Sequence, residues 1–217
     1  MLEYPVLAID TCGAAGAAAL LNLGKDASTV TCMQQVELGG RAASAELMPA
    51  VQSMLERAGL EIADLRSILV VNGPGSFTGV RVGLSTAKGL AHAAQVPILA
   101  ISRLAVVASL SQEKRDFVAL LDAGRNEFYA RRDERERLAS FAEVERLAGE
   151  GVALVIAEEA LAARFAAWKP ALVGPLDAFA AGHAAMARLR AGEAEDLAAL
   201  DANYLRRSDA ELFARMP

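Results

Sequence analysis

Cysteine and histidine are scarce in this chain, with two of each in 217 residues. Cys12 and Cys32 are too few for a disulfide framework or a zinc site built on sulfur. His92 and His183 lie far apart, and neither opens an H-x-x-x-H or H-E-x-x-H pattern, so a metalloenzyme site has no support. His183 follows Gly182 near the start of a helix and reads as a surface or capping residue. With no histidine and acid placed beside them, neither cysteine reads as a nucleophile. No apolar run reaches the roughly 18 residues of a membrane span. The opening MLEYPVLAID has neither the basic n-region nor the long apolar stretch of a signal peptide. The expectation is a protein of the reducing cytoplasm with no membrane partner. Lysine and arginine do not cluster and the net charge is −5, so no broad nucleic-acid footprint is visible. The stretch RRDERER (Arg131 to Arg137) mixes both signs and reads as a solvated surface segment.

Apolar residues are plentiful, at 54%, and alanine supplies much of that share because aromatics make up only 5%. The composition is that of a packed globular chain, long enough for one large domain or two small ones. YPVLAID (Tyr4 to Asp10) reads as a buried strand ending at an aspartate, and GAAGAAALL leads through a turn into a second. ASTVTCMQQVEL (Ala27 to Leu38) alternates and reads as a third. A helix follows over Ser44 to Gly59, with Ser44 as its N-cap, Leu47, Val51, Met54 and Leu55 on one face, and Gly59 as its stop. Pro49 should kink its first turns. SILVV is a strand, Thr78 to Ala94 a helix, VPILAI a strand and Ser102 to Ser111 a short helix. The order is βββαβαβα.

The pattern then restarts. VALLDAGRNEFYAR repeats the logic of VLAIDTCGAAGAAALL, and Asp122 takes the place of Asp10. A helix (about Ser140 to Leu147), a strand (Val152 to Ala157), a helix (Glu158 to Ala167), a strand (Ala171 to Gly174) and a helix (Asp177 to Arg190) complete a reduced copy. The repeat is too long for a solenoid. Duplicated α/β lobes, each a mixed sheet flanked by helices, fit it. The seam falls near Ser102 to Asp116. The expected lobes are residues 1–103 and 104–207, with 208–217 packing on the first.

Asp10 and Asp122 end the first strand of each lobe, the edge at which open α/β sheets bind ligands. A carboxylate there can hold Mg²⁺ beside a phosphate. Alternatively, each aspartate caps its own turn. The glycine loop NGPGSFTG (Asn72, Gly73, Pro74, Gly75, Ser76, Phe77, Thr78, Gly79) is neither G-x-x-x-x-G-K-[ST] nor G-x-G-x-x-G, so the nucleotide-loop patterns fail. Ser76 or Thr78 can cap the helix that follows, and anion binding is the competing role. That helix carries Gly79, Gly83, Ala87 and Ala91 at every fourth residue, and Val82, Thr86, Gly89 and Ala93 as a second stripe of small residues. An interior glycine costs about 1 kcal/mol relative to alanine. Gly83 and Gly89 therefore imply close approach of something to the helix backbone. One stripe must meet the sheet, and the other is free to meet a second helix. Arg81, Ser85, Lys88 and His92 form a polar stripe that reads as solvated. Tyr204, Leu205 and Arg206 read as packing and surface residues.

NGPGSFTGVRVGLSTAKGLA, with the AIDT opening, SAELMPAVQSML, LLDAGRNEFYA and a late YLR, resembles the TsaB (YeaZ) family over nearly the whole length. The resemblance implies two lobes of the ASKHA (actin-like ATPase, RNase H-like) type. It also implies a non-catalytic subunit that binds the related enzyme TsaD, with the small ATPase TsaE. The system threonylcarbamoylates the adenosine next to the anticodon of tRNAs reading ANN codons. ATP and Mg²⁺ would be used through those partners, tRNA would be met only through the complex, and no cofactor is implied for this chain. The family's docking surface is a helical bundle with TsaD, or with a second copy when TsaD is absent. Carried onto this sequence, it comprises Ser44, Leu47, Met48, Val51, Val82, Gly83, Thr86, Ala87, Gly89 and Leu90. Gly83→Leu or Ala87→Trp would then weaken assembly and spare the fold.

The chain departs from the family pattern at Ala43, where a histidine is usual, and at Ala202, where a proline is usual. The rival expectations are an ATP-dependent ASKHA phosphotransferase using Asp10 and Asp122, and a metallopeptidase. The second of these needs clustered histidines that the sequence does not supply.

Overall fold

In the computed structural model, which describes residues 4–24, 29–39 and 42–206, each half of the chain builds its own five-stranded sheet. The first sheet has the order β3-β2-β1-β4-β5. Strands β1 (Pro5–Asp10), β2 (Gly16–Leu23) and β3 (Val30–Leu38) form an antiparallel meander, while β4 (Ser67–Val71) and β5 (Ile98–Ile101) run parallel to β1. β1 and β4 are unbroken apolar runs because both of their faces are buried. Leu7 and Ile9 point to one face, where α1 (Ala43–Ala58) and α2 (Phe77–Ala94) lie, and Val6 and Ala8 point to the other.

The second sheet has the order β10-β9-β6-β7-β8. Its strands are β6 (Phe117–Gly124), β7 (Glu127–Arg132), β8 (Arg135–Ser140), β9 (Ala153–Ile156) and β10 (Ala171–Leu172). Helices α4 (Phe141–Gly149) and α5 (Glu159–Arg164) cover one face, through Val144, Leu147 and Leu161. Helix α3 (Arg103–Ser109) covers the other, with Leu104 and Val107 on Ala119, Leu121 and Val155.

Helix α6 (Ala178–Arg190) is placed differently from its sequence assignment. The sequence groups it with the second lobe, but its alanines pack on Val6, Ala8, Leu21 and Leu69 of the first sheet. It also touches α3, so α3 and α6 lie together between the two sheets. The cause is composition. Ala178, Ala181 and Ala185 give α6 a flat buried side that fits closely on the small residues of β1 and β2.

Two local readings are refined. RRDERER is solvated as expected, and it is also a hairpin whose second arm opens β8, a strand the sequence reading did not contain. Arg131 pairs with Glu136 across it at 2.8 Å. Being an edge strand, β8 keeps other charges in solvent, which discourages further strand pairing. Helix α1 begins at Ala43 with Ala42 in the capping position and no side-chain cap, so Ser44 lies inside the first turn. Its stop at Gly59 is as expected, in the left-handed conformation with φ of 64°. The tail expected to pack on the first lobe, 208–217, lies outside the described residues. Among the described residues no helix is long and apolar enough to cross a membrane.

Candidate functional site

The glycine loop between β4 and α2 is set by its contact with the end of β1. Ser76 N donates to Cys12 O at 2.8 Å. The Thr11 hydroxyl donates to Gly79 O at 2.6 Å. A Cβ at Gly75 would stand 2.3 Å from Cys12 O, and one at Gly79 would stand 2.0 Å from Thr11 O. These glycines are therefore needed because one backbone lies on another. Ser76 Oγ accepts from Gly79 N at 3.2 Å and caps α2, as one of the two candidates in the sequence. Thr78 lies inside the helix. Asn72 and Gly73 finish the frame: Gly73 O accepts from Arg103 N at 2.7 Å and Asn72 O accepts from Asn203 N at 2.8 Å. Pro74 is buried and follows Gly73 through a cis bond.

Asp10 is committed to the same junction. Only 4% of it is exposed. Its Oδ1 accepts from Cys12 N at 2.8 Å, and its Oδ2 lies 3.5 Å from Arg103 Nε. The carboxylate thus closes a turn and faces a guanidinium, which is the turn-capping alternative rather than the Mg²⁺ one. Cys12 is buried beside it and donates its S–H to Val71 O at 3.2 Å. Burial first, and the Asp10 charge second, push the Cys12 thiol well above its ordinary range. This thiol is held protonated, so Cys12 has no nucleophilic character.

The second aspartate differs. Asp122 is exposed, and its Oδ1 accepts from Gly124 N at 2.8 Å. It lines a cleft of about 500 Å³ together with Gly13, Gly75, Ser76, Arg103, Tyr129 and Glu158. Both lobes contribute, but Asp10 is not in the lining. The structure therefore does not bring Asp10 and Asp122 together as an open pair of carboxylates. No group of three or more histidine, cysteine, aspartate or glutamate residues that could hold a metal ion occurs among the described residues.

The ten residues carried over as a docking surface divide into three groups. Leu47, Val51, Gly83 and Ala87 are buried in the first lobe's own core and cannot meet a partner. This corrects the sequence reading. A Cβ at Gly83 would stand 2.3 Å from Thr11 Oγ1, so Gly83→Leu would disrupt the fold rather than spare it. Ser44, Met48 and Gly89 are exposed, and Val82, Thr86 and Leu90 are half-buried at the border. Met48 leaves 46% of its surface in solvent, and a Cβ at Gly89 would meet nothing within 4 Å. Of the stripe Val82, Thr86, Gly89 and Ala93, the last two are exposed on α2, while Val82 packs on the first lobe's core.

A groove of about 710 Å³ runs between α2 and residues 200–204 and is lined by Phe77, Arg81, Ser85, Lys88 and Tyr204 among others. The Phe77 and Tyr204 rings stack at 5.4 Å, and each residue is more than 40% exposed, at 47% and 43%. Arg81 sits over the Phe77 ring at 3.8 Å and donates to Tyr204 OH at 2.9 Å. The polar stripe was visible as Arg81, Ser85, Lys88 and His92, but nothing local announces that Tyr204 returns to it from far along the chain.

Comparison with known proteins agrees with this architecture. A family model described as TsaD: tRNA N6-adenosine threonylcarbamoyltransferase matches residues 36–199. A relative from Haemophilus influenzae, tRNA threonylcarbamoyladenosine biosynthesis protein TsaB, is 34% identical over 143 residues, which cover 64% of this chain and 58% of that protein. The Escherichia coli protein of the same name is 35% identical over 127 residues, covering 57% and 52%. The chain spans about half the length of the curated relatives it matches. The solved structure of YeaZ from Pseudomonas aeruginosa has a TM-score of 0.66 at 24% identity and covers 94% of this chain and 100% of that one. The fold is shared: two lobes, each built on a five-stranded mixed sheet flanked by helices.

Proposed function

This chain belongs to the TsaB/YeaZ family of TsaD-like proteins, and from that premise we propose that it is a non-catalytic subunit in the biosynthesis of threonylcarbamoyladenosine on tRNA. In this reading it docks onto TsaD, works with TsaE, and meets tRNA only through the complex. ATP and Mg²⁺ are used by those partners. The observation that carries the reading is the outward part of α2, where Gly89 and Ala93 are exposed and a Cβ at Gly89 would meet nothing within 4 Å, with Met48 of the neighbouring α1 exposed as well. Small residues let a second helix come close, and an interior glycine that touches nothing in its own chain suits that use. Asp10 supports the non-catalytic side, because its carboxylate is already engaged by Cys12 N and Arg103. In the absence of TsaD, the same part of α2 serves a second copy.

Reconstitution tests this. The chain is mixed with TsaD, TsaE, the carbamoyl-adenylate synthase, ATP, threonine, bicarbonate and tRNA, and each protein is omitted in turn. Modified tRNA should require both this chain and TsaD. Product formed without TsaD would overturn the non-catalytic reading. Gly89→Trp should abolish co-elution with TsaD while the melting temperature stays near wild type. Unchanged co-elution would remove the α2 face from the interface.

The phosphotransferase reading rests on one observation, the inter-lobe cleft with Asp122 on its wall. It predicts ATP–Mg²⁺ binding by the purified chain that is lost in Asp122→Asn.

A further inference from the structure

Residues beyond α6 turn back across the first lobe. Glu195 N donates to Ile98 O at 2.8 Å, and Asn203 N donates to Asn72 O at 2.8 Å. Lys88 Nζ donates to Leu200 O at 2.8 Å. Tyr204 then reaches the start of α2, stacked on Phe77 and accepting from Arg81 Nε.

The same few residues are bonded to the second lobe. Asn203 Nδ2 donates to Glu136 Oε2 at 2.7 Å. Arg206 Nη2 donates to Gly124 O at 3.3 Å and to the Glu127 carboxylate. Gly124 lines the inter-lobe cleft beside Asp122 and Ala123. Along the chain, only Leu205 separates the side chain anchored in the α2 groove from the one that holds the cleft's far wall.

We propose that residues 200–206 form a latch that couples the exposed start of α2 to the second-lobe wall of the inter-lobe cleft. The bonds on both sides of the latch are polar and partly exposed. Each contributes modestly, because water competes for the same groups. Leu200, Ala202 and Leu205 pack on the apolar cores, while the side chains of Tyr204 and Arg206, held by such bonds, open locally as those cores stay closed. Tyr204 fixes where the backbone lies at the α2 groove, and this sets where Arg206 can reach. When the Tyr204 anchor is lost, Arg206 loses its aim at Gly124 and Glu127, and the turn between β6 and β7 loosens. Coupling of this kind is reciprocal, so freeing the Arg206 end must loosen the Tyr204 end by the same factor. A partner that covers Phe77 and Arg81 would then change the cleft without touching it. The latch is a property of the isolated chain and stands whichever partner docks on α2, so loss of the TsaD reading would leave it untouched.

Hydrogen exchange on the purified chain tests it. Tyr204→Ala should speed exchange at residues 122–127 about fivefold, the effect of losing one modest contact, although Tyr204 has no bond to that turn among the described residues. Arg206→Ala should speed exchange at residues 79–81 by a similar factor. Amides of β4 and β9 report that both cores remain folded. If Tyr204→Ala does not fold, Tyr204→Phe is read in the same way, since it keeps the ring and loses only the Arg81 bond. Faster exchange confined to residues 200–206 and the start of α2, with 122–127 at the wild-type rate, would overturn the latch.

Discussion

Helix α2 carries two stripes of small residues, and they have different fates. Gly79, Gly83, Ala87 and Ala91 face inward, where a Cβ at Gly83 would stand 2.3 Å from Thr11 Oγ1. In the other stripe Val82 and Thr86 are half-buried, while Gly89 and Ala93 face outward, and a Cβ at Gly89 would meet nothing within 4 Å. The residue types are nearly the same. Small size therefore signals close approach without saying to what. On the inner stripe the helix penalty of glycine is offset by packing on β1 and by the Thr11 bond. At Gly89 on the outer stripe the space a Cβ would take is open, so packing within the chain does not offset the penalty there.

Substitutions can break this comparison or sharpen it. Gly83→Leu should have the largest effect, a loss of about 3 kcal/mol or more, because backbone and sheet must both shift to admit the side chain. Chemical denaturation followed by circular dichroism measures it, and a near-native midpoint would put the inner stripe on the wrong side. Asp10→Ala should cost about 3 kcal/mol, since it leaves the Arg103 guanidinium, 12% exposed, facing no counter-charge. Its repeat-equivalent substitution, Asp122→Ala, is exposed and should stay within about 0.5 kcal/mol. Equal costs for the two would erase the inward–outward contrast. Gly89→Ala should raise stability by about 0.5–1 kcal/mol, through helix propensity alone.

The cysteines give the mildest test. Burial raises the Cys12 thiol well above its ordinary value of 9.0, while the Cys32 thiol is raised from the same value by partial burial and by Asp177. Alkylation of the native protein at mildly alkaline pH should modify exposed Cys32 and spare Cys12 until the chain unfolds. Because the folded state disfavours the Cys12 thiolate, stability is intact below the ordinary value. It should fall as pH climbs past that value, when the unfolded thiol ionises and the folded one does not.

Much of this was legible residue by residue. The period of Leu47, Val51, Met54 and Leu55 marks the buried face of α1, and all four are in the core. Ser76 is a capping residue in both sequence and structure, since its hydroxyl bond to Gly79 is local. The repeat equates Asp10 with Asp122, and both indeed accept from the amide two residues on, Cys12 N and Gly124 N. The repeat says nothing of Arg103, which comes from a later helix and pairs with Asp10. The charged hairpin of β7 and β8 is solvated as its composition implies, but alternating charge conceals the strand pairing. Only the partner strand shows that Arg131 and Glu136 face each other.

The sequence by itself determined most of the local order: the apolar strands, the approximate extent of the helices, and that the chain repeats. Those features depend on periodicity and on turn chemistry within a few residues. The tertiary structure decided the rest. It placed α6 on the first sheet, gave one stripe of α2 to β1, closed Asp10 against Arg103 and brought Tyr204 back to Phe77. Each of these joins residues distant in the chain, and such contacts are chosen by complementary shape and charge in the folded state, which no short window of sequence contains.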